Sequence, residues 1–371
     1  MLLGSQRAEK PVIDYDTCVP EVIRGLPFPK GINWEAIELL VDKGLGTEEE
    51  KEDYRQELYQ DLKKVGVACL MPRARISYVR ARLMLGDFSD YWGWEFRGAY
   101  DQGESKAWAA NLYWSETWLP KWGGGNIPRL LVLAEQGIGD VVFIASMLPE
   151  ALIRAQEVIF ECDERLHCLL ARSFKTPRLK LRPERHFEDR RKDYGKIDAF
   201  IPGMDLMRMF RRDISHFPGK AYLKPDPEKV RQFESYRGRV GLCWRGRQGK
   251  IDPLKLGLDN PVSLQYGPKR EDIESPSLDL WEDVEGIVAL SSVLSKVVTV
   301  PQSVMHFAGA CGKRVEVLWP EEIGIENQFP FDWGILYNDG KLPWYPDVQT
   351  FQTFEDWKSR TRNSSEAGLV Q

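Results

Sequence analysis

Two stretches of this chain limit its fold more than any other feature. The first is the apolar run Leu130-Leu131-Val132-Leu133-Ala134, which stops at the polar turn Glu135-Gln136-Gly137-Ile138-Gly139-Asp140. The second is Val297-Val298-Thr299-Val300, followed by Pro301-Gln302-Ser303 and then by Val304-Met305-His306-Phe307-Ala308-Gly309-Ala310-Cys311-Gly312. Each reads as a buried parallel strand, a tight turn and the start of a helix. Ligands of open α/β sheets bind at strand ends of this kind. Two such ends, far apart in sequence, predict two parallel-sheet domains facing one cleft.

A chain of 371 residues has room for two or three domains with proper cores. Its 43% apolar and 29% charged residues are ordinary for a soluble globular protein. The net charge of −5 argues against a general nucleic-acid binder. Arg182, Arg185, Arg190 and Arg191 cluster within 165–220, so a local basic groove stays open. The six cysteines form no C-x-x-C pair and read as free thiols of a reducing compartment. The four histidines do not pair with cysteines at ligand spacing, so no metal site is expected. The N-terminus lacks the apolar core of a signal peptide, and no apolar run reaches membrane-spanning length. A cytoplasmic location is expected.

Residues 1–120 read as an irregular arm and a helical cap, with Ala81–Arg97 similar to a degenerate tetratricopeptide unit. A glycine-rich linker, 121–128, leads into a first Rossmann-like domain spanning 128–224. Its expected strands are Leu130–Ala134, Val158–Cys162 and Ile197–Ile201, with helices over Val141–Ala155 and Glu164–Ala171 and a charged stretch to Lys196. Pro225-Asp226-Pro227 reads as the hinge into a second domain, 225–361. Strands are expected there at Val240–Trp244, Pro261–Gln265, Lys296–Val300 and Arg314–Trp319. Helices are expected at Glu228–Ser235, Trp281–Leu294 and His306–Cys311, the last stopped by Gly312. Glu355-Asp356-Trp357 sits on a final helix, and 362–371 reads as disordered. The alternation of strands and helices predicts mostly parallel sheets with right-handed crossovers.

The candidate site residues follow from the turns. Gly137 and Gly139 permit a tight turn, with Asp140 at its tip. Asp140 has two readings: a cleft carboxylate able to take a proton, or a helix cap. Ser303–Gly309 would open a helix whose amides can face an anion, with the small residues at 308–310 letting the backbone come close. The loop Trp244-Arg245-Gly246-Arg247-Gln248-Gly249-Lys250 is either an anion contact or a solvated basic loop. A dinucleotide-binding oxidoreductase fits poorly, because 137–142 lacks the third glycine of G-x-G-x-x-G.

Taken in order, E-Q-G-I-G-D at 135–140, V-G-L-C-W-R-G at 240–246, V-S-L-Q at 262–265 and S-V-M-H-F-A-G-A-C-G-K at 303–313 resemble a known family. Pro343-Trp344-Tyr345-Pro346 follows as a packing or hinge element. The pattern is similar to the glycosyltransferase half of bacterial and phage tetratricopeptide-glycosyltransferase proteins. More distantly it resembles the ADP-heptose:lipopolysaccharide heptosyltransferases. That resemblance implies the GT-B fold, two Rossmann-like parallel-sheet domains facing a cleft. It also implies sugar transfer from a nucleotide-diphosphate donor, inverting and without a metal or other cofactor. Asp140 would be the general base, and Glu135, Gln136, Gly137 and Gly139 would shape its loop. Arg245, Lys250, Gln265, Gln302, Ser303, His306 and Gly309 would bind the donor. The chain departs from the pattern at Pro301, where related transferases carry an Asp. A non-catalytic nucleotide-sugar or partner-binding relative is therefore a second expectation. The acceptor is open among protein, glycan, lipid-linked glycan and modified nucleic acid.

Overall fold

The computed structural model describes residues 119–134, 137–183, 194–212, 214–246, 249–320, 340–351 and 353–367. The arm and the tetratricopeptide-like cap lie outside the described residues, as do Glu135, Gln136 and Arg247. Two parallel sheets organise the rest, and both belong to one compact unit, Trp108–Arg211 with Ser215–Gln371.

The first sheet holds β1 (Ile127–Leu133), β2 (Ala155–Glu161), β3 (Leu179–Arg182) and β4 (Ala199–Pro202), in the order β3-β2-β1-β4. All three pairings are parallel. β1 is central, and Leu130, Leu131, Val132 and Leu133 are all buried, as a strand covered on both faces requires. Each such side chain contributes about 2 kcal/mol through burial. Leu131 sits between Ile159 of β2 and Phe200 of β4. The chain runs outward from β1 to β3 and then returns to β4 on the other side. The crevice of this sheet therefore opens between the ends of β1 and β4.

The second sheet comprises β5 (Val240–Cys243), β8 (Val262–Ser263), β9 (Lys296–Thr299), β10 (Val315–Leu318) and β11 (Val348–Phe351). Its order is β11-β10-β9-β5-β8, again all parallel. Here the direction reverses between β5 and β9. A small antiparallel hairpin, β6 (Arg245–Gly246) with β7 (Gly249–Lys250), leaves the end of β5.

Most rims of both sheets are blocked. Lys121 bridges Phe200 outside β4, Glu274 bridges Val262 outside β8, and Lys341 bridges Gln349 outside β11. The fourth rim is β3, which alternates Leu179 and Leu181 with Lys180 and Arg182.

Several expected boundaries are corrected. The helix expected over Val141–Ala155 is two helices, α1 (Ile138–Ala145) and α2 (Leu148–Arg154). Pro149 has no amide with which to continue the ladder onto Ala145, and the chain turns through Ser146 and Met147 instead. The stretch to Lys196, expected to be only charged, contains β3. β11 and the β6–β7 hairpin add to the expected strands. α3 (His167–Phe174) follows a short 3₁₀ turn, and α4 (Asp205–Phe210) follows β4. The expected hinge at Pro225-Asp226-Pro227 opens α5 (Pro227–Gln232): Asp226 accepts from the amides of Glu228 and Lys229. α6 (Val284–Val293) starts three residues later than expected, with Asp283 accepting from the Gly286 amide. α7 (Ser303–Ala310) starts at Ser303 rather than His306. α8 (Phe354–Ala367) runs into the segment expected to be disordered. Glu355 and Asp356 in its first turn and the Asp356–Arg360 pair one turn apart favour its continuation.

Candidate functional site

The turn after β1 and the start of α7 meet directly. A Cβ placed on Gly139 would lie 2.6 Å from His306 Cδ2 and 3.2 Å from Ser303 Cα. Glycine at 139 is thus the condition for two distant motifs to touch. Phe143 of α1 continues the contact, with its ring centroid 6.0 Å from that of His306 and 5.0 Å from that of Trp344. Asp140, Ser303 and His306 are brought together by this packing.

Asp140 is half-buried at the third position of α1. Its Oδ2 accepts from the Gly137 amide at 2.9 Å, and its own amide donates to the Gly137 carbonyl at 2.9 Å. The capping geometry is real, and it fixes where the carboxylate sits. That carboxylate is close enough to the Tyr345 phenol to help push its pKa up, after burial and the neighbouring Tyr222.

His306 is 9% exposed, inside α7. Burial lowers its pKa to about 3, so the ring is neutral at ordinary pH. Its Nδ1 lies 2.7 Å from Tyr345 Oη. The Tyr345 ring stacks beside that of Tyr222, with centroids 6.4 Å apart, and the Tyr222 hydroxyl donates to the Val142 carbonyl at 2.8 Å. Motif reading picks out His306 for the site, Tyr345 only as part of a packing or hinge run, and Tyr222 not at all. Within the Pro-Trp-Tyr-Pro run, Trp344 packs edge-on against Phe217 at 4.6 Å and both aromatics are buried.

The other expected donor contacts fall into two groups. Arg245 and Lys250 are both exposed and stand directly opposite each other across the β6–β7 hairpin. Like charges placed this way repel. The hairpin leans on the turn before α7: a Cβ on Gly246 would lie 2.7 Å from the Pro301 carbonyl oxygen. Pro301 itself is buried. Gln265 and Gln302 instead hold the strand ends to one another. Gln265 Oε1 accepts from the Arg245 amide at 2.8 Å and its Nε2 donates to the Tyr266 carbonyl at 3.0 Å. Gln302 Nε2 donates to Cys243 Sγ and to Thr299 Oγ1. Gly309 is not brought to the helix start. Its open side faces Tyr345 and Val348, where a Cβ would lie 2.9 Å from Tyr345 Cγ and 2.7 Å from Val348 Cγ2.

Cys162, Cys168, Cys243 and Cys311 are free thiols, Cys168 exposed and Cys162 and Cys243 buried. Burial pushes the thiols of Cys243 and Cys311 up to about 12, which suits packing rather than nucleophilic work. Among the described residues no helix is long and apolar enough to cross a membrane.

These features define an α/β protein with two Rossmann-like parallel-sheet lobes, whose strand-end turns meet at a helix start. No protein-family profile matches the chain. Over 279 residues it is 26% identical to Protein FlbA of Caulobacter vibrioides, a match covering 63% of this chain and 45% of that protein. The chain thus spans less than half the length of that relative. Among solved structures it is similar to a glycosyl transferase family 9 protein from Veillonella parvula DSM 2008. There the identity is 10%, the coverage 64% of this chain and 89% of that one, and the TM-score 0.40. It is also similar to the ADP-heptose LPS heptosyltransferase II of E. coli, with 13% identity, coverage of 60% and 90%, and a TM-score of 0.40.

Proposed function

We propose that the chain is a GT-B-type glycosyltransferase that moves a sugar from a nucleotide-diphosphate donor to an acceptor hydroxyl, with inversion and without a metal. The observation that carries this reading is the direct packing of the Asp140 turn on the start of α7 through Gly139. Transfer needs a base for the acceptor proton and a stabiliser for the departing diphosphate. Asp140 takes the proton, and the acceptor oxygen bonds to the anomeric carbon as the sugar–phosphate bond breaks. The amides at the start of α7 take the charge that develops on the leaving diphosphate. Arg245 and Lys250 add to it: a bound dianion between them removes the repulsion that the hairpin otherwise holds.

One observation favours a second reading, a binding protein without turnover. Pro301 stands where related transferases have a carboxylate, and the Gln302 amide is already engaged by Cys243 and Thr299. A thermal-shift panel of nucleotide-diphosphate sugars identifies the donor, since a ligand of the native state raises its melting point. With that donor, Asp140→Asn is expected to cut transfer or donor hydrolysis by roughly 10²–10⁴-fold. Donor affinity and melting temperature stay near those of the parent, because the amide oxygen of Asn still accepts from Gly137. Full activity in this variant removes Asp140 as base. Binding without hydrolysis or transfer in the parent establishes the second reading.

A further inference from the structure

Two large aromatic side chains stand in solvent at the carboxyl end of β8. Tyr266 is 39% exposed and Trp281 54%, and their rings meet edge to face with centroids 5.1 Å apart. Among the described residues, the other large apolar side chains this exposed are Ile153 on α2 and Leu254 on the turn Pro253–Leu256. Single exposed apolar residues are ordinary, whereas two aromatic rings in contact at a strand end offer a flat partner a place to lie.

One amide ties this pair to the site. Gln265 Oε1 accepts from the Arg245 amide at 2.8 Å, and its Nε2 donates to the Tyr266 carbonyl at 3.0 Å. Arg245 and Tyr266 are therefore held side by side. The Arg245 guanidinium passes Gly267, where a Cβ would lie 3.0 Å from Nη2. The same hairpin rests through Gly246 on the Pro301 carbonyl, just before α7 begins at Ser303. Successive contacts thus lead from the start of α7 through Arg245 to Tyr266 and Trp281. From the other sheet, Arg165 lies with its guanidinium carbon 5.3 Å from the Trp281 ring centroid and donates to the Trp281 carbonyl at 2.8 Å. Asp163 holds that arginine at 2.6 Å, so the indole is fixed at a rim shared by both lobes.

Exposed aromatic rings bind flat faces by stacking, and every nucleobase has one. A sugar ring can also lie on tryptophan, but a cation held beside the platform favours a ring joined to phosphate.

We propose that Tyr266 and Trp281 are the residues that receive the nucleobase of the donor, by stacking, at the end of the ligand remote from Asp140. The rest of the ligand in this inference rests on the glycosyltransferase reading.

The test uses the full chain labelled with 5-fluorotryptophan, in which Trp281→Phe identifies the Trp281 resonance among thirteen tryptophans. ADP, GDP, UDP, inorganic pyrophosphate and maltohexaose are titrated separately. A nucleoside diphosphate that binds is expected to move the Trp281 resonance, while pyrophosphate leaves it in place. A bound nucleotide with Trp281 unmoved, or equal movement with pyrophosphate, overturns the proposal. So does movement produced by maltohexaose alone, the mark of a carbohydrate platform.

Affinity supplies the second readout. Tyr266→Ala is expected to weaken the nucleoside diphosphate roughly tenfold and to leave pyrophosphate unchanged. Tyr266→Phe keeps the ring and is expected to restore the affinity. Equal weakening of both probes, or a Phe variant as weak as the Ala variant, overturns the stacking role. If neither nucleoside diphosphates nor nucleotide sugars bind, the glycosyltransferase reading fails and the base platform fails with it. Nucleotide binding that ignores both Trp281 and Tyr266→Ala removes the platform alone.

Discussion

At the scale of single residues, the site depends on one missing methyl group. Gly139→Ala places a Cβ 3.2 Å from the Ser303 backbone and 2.6 Å from a ring held at its other edge by Tyr345. Neither neighbour gives way without disturbing α7. The expected cost is ~1–3 kcal/mol, the range for overpacking, read as a lower urea midpoint with unchanged slope. A neutral result would show that the α1–α7 junction yields. Sequence alone makes Asp140, Gly139 and His306 legible, because strand-turn-helix patterns and motif order mark them. It does not reveal that Tyr345 and Tyr222 back onto this site. Tyr345 is 39 positions from His306, and Tyr222 is 80 positions from Val142, and neither separation obeys a helical or strand period. Nor does it show that the amides of Gln265 and Gln302 are committed to neighbouring strand ends, since that depends on sheet order.

At the scale of elements, β1, β2, β4, β5, β8, β9 and β10 are all legible in the sequence, most of them as apolar runs that parallel sheets bury on both faces. β3 is hidden by its alternating Lys and Arg, and the hairpin by strands of two residues each. β10 also carries an exception to the apolar pattern. Glu316 is fully buried, and its carboxylate accepts from Lys296 Nζ at 2.8 Å, Arg314 at 2.9 Å and Trp357 Nε1 at 2.8 Å. One carboxylate thereby ties β9, β10 and α8 together. Glu316→Gln keeps the shape and leaves two cations facing a neutral amide. A loss of about 1–3 kcal/mol is expected, the scale for removing charge-assisted hydrogen bonds, because the two cations left behind reach solvent. Chemical denaturation measures it, and a loss under 1 kcal/mol would mean that water takes over the pairing.

At the scale of the whole unit, the two sheets are joined by aromatic packing and ion pairs. Trp344 sits between Phe143 of α1 and Phe217 of the connecting segment. Arg172 of α3 pairs with Glu285 of α6. The amides of Tyr222 and Leu223 both donate to the Ala310 carbonyl at the end of α7. Native-state hydrogen exchange is therefore expected to show the central strands β1 and β9 opening with one shared free energy. Trp344→Ala, at a cost of ~3–5 kcal/mol, is expected to split them into two classes. If β1 and β9 still open together in that variant, the ion pairs and backbone bonds suffice to couple the lobes.

The blocked rims have a consequence for how the molecule behaves in a crowd of its own copies. A sheet grows when a foreign backbone finds a bare row of amides and carbonyls to copy. Here Lys121, Glu274 and Lys341 each occupy such a row with a single bridge, and Lys180 and Arg182 guard the remaining one with charge. Strand-by-strand recruitment, the route to fibrils, is disfavoured at these four borders.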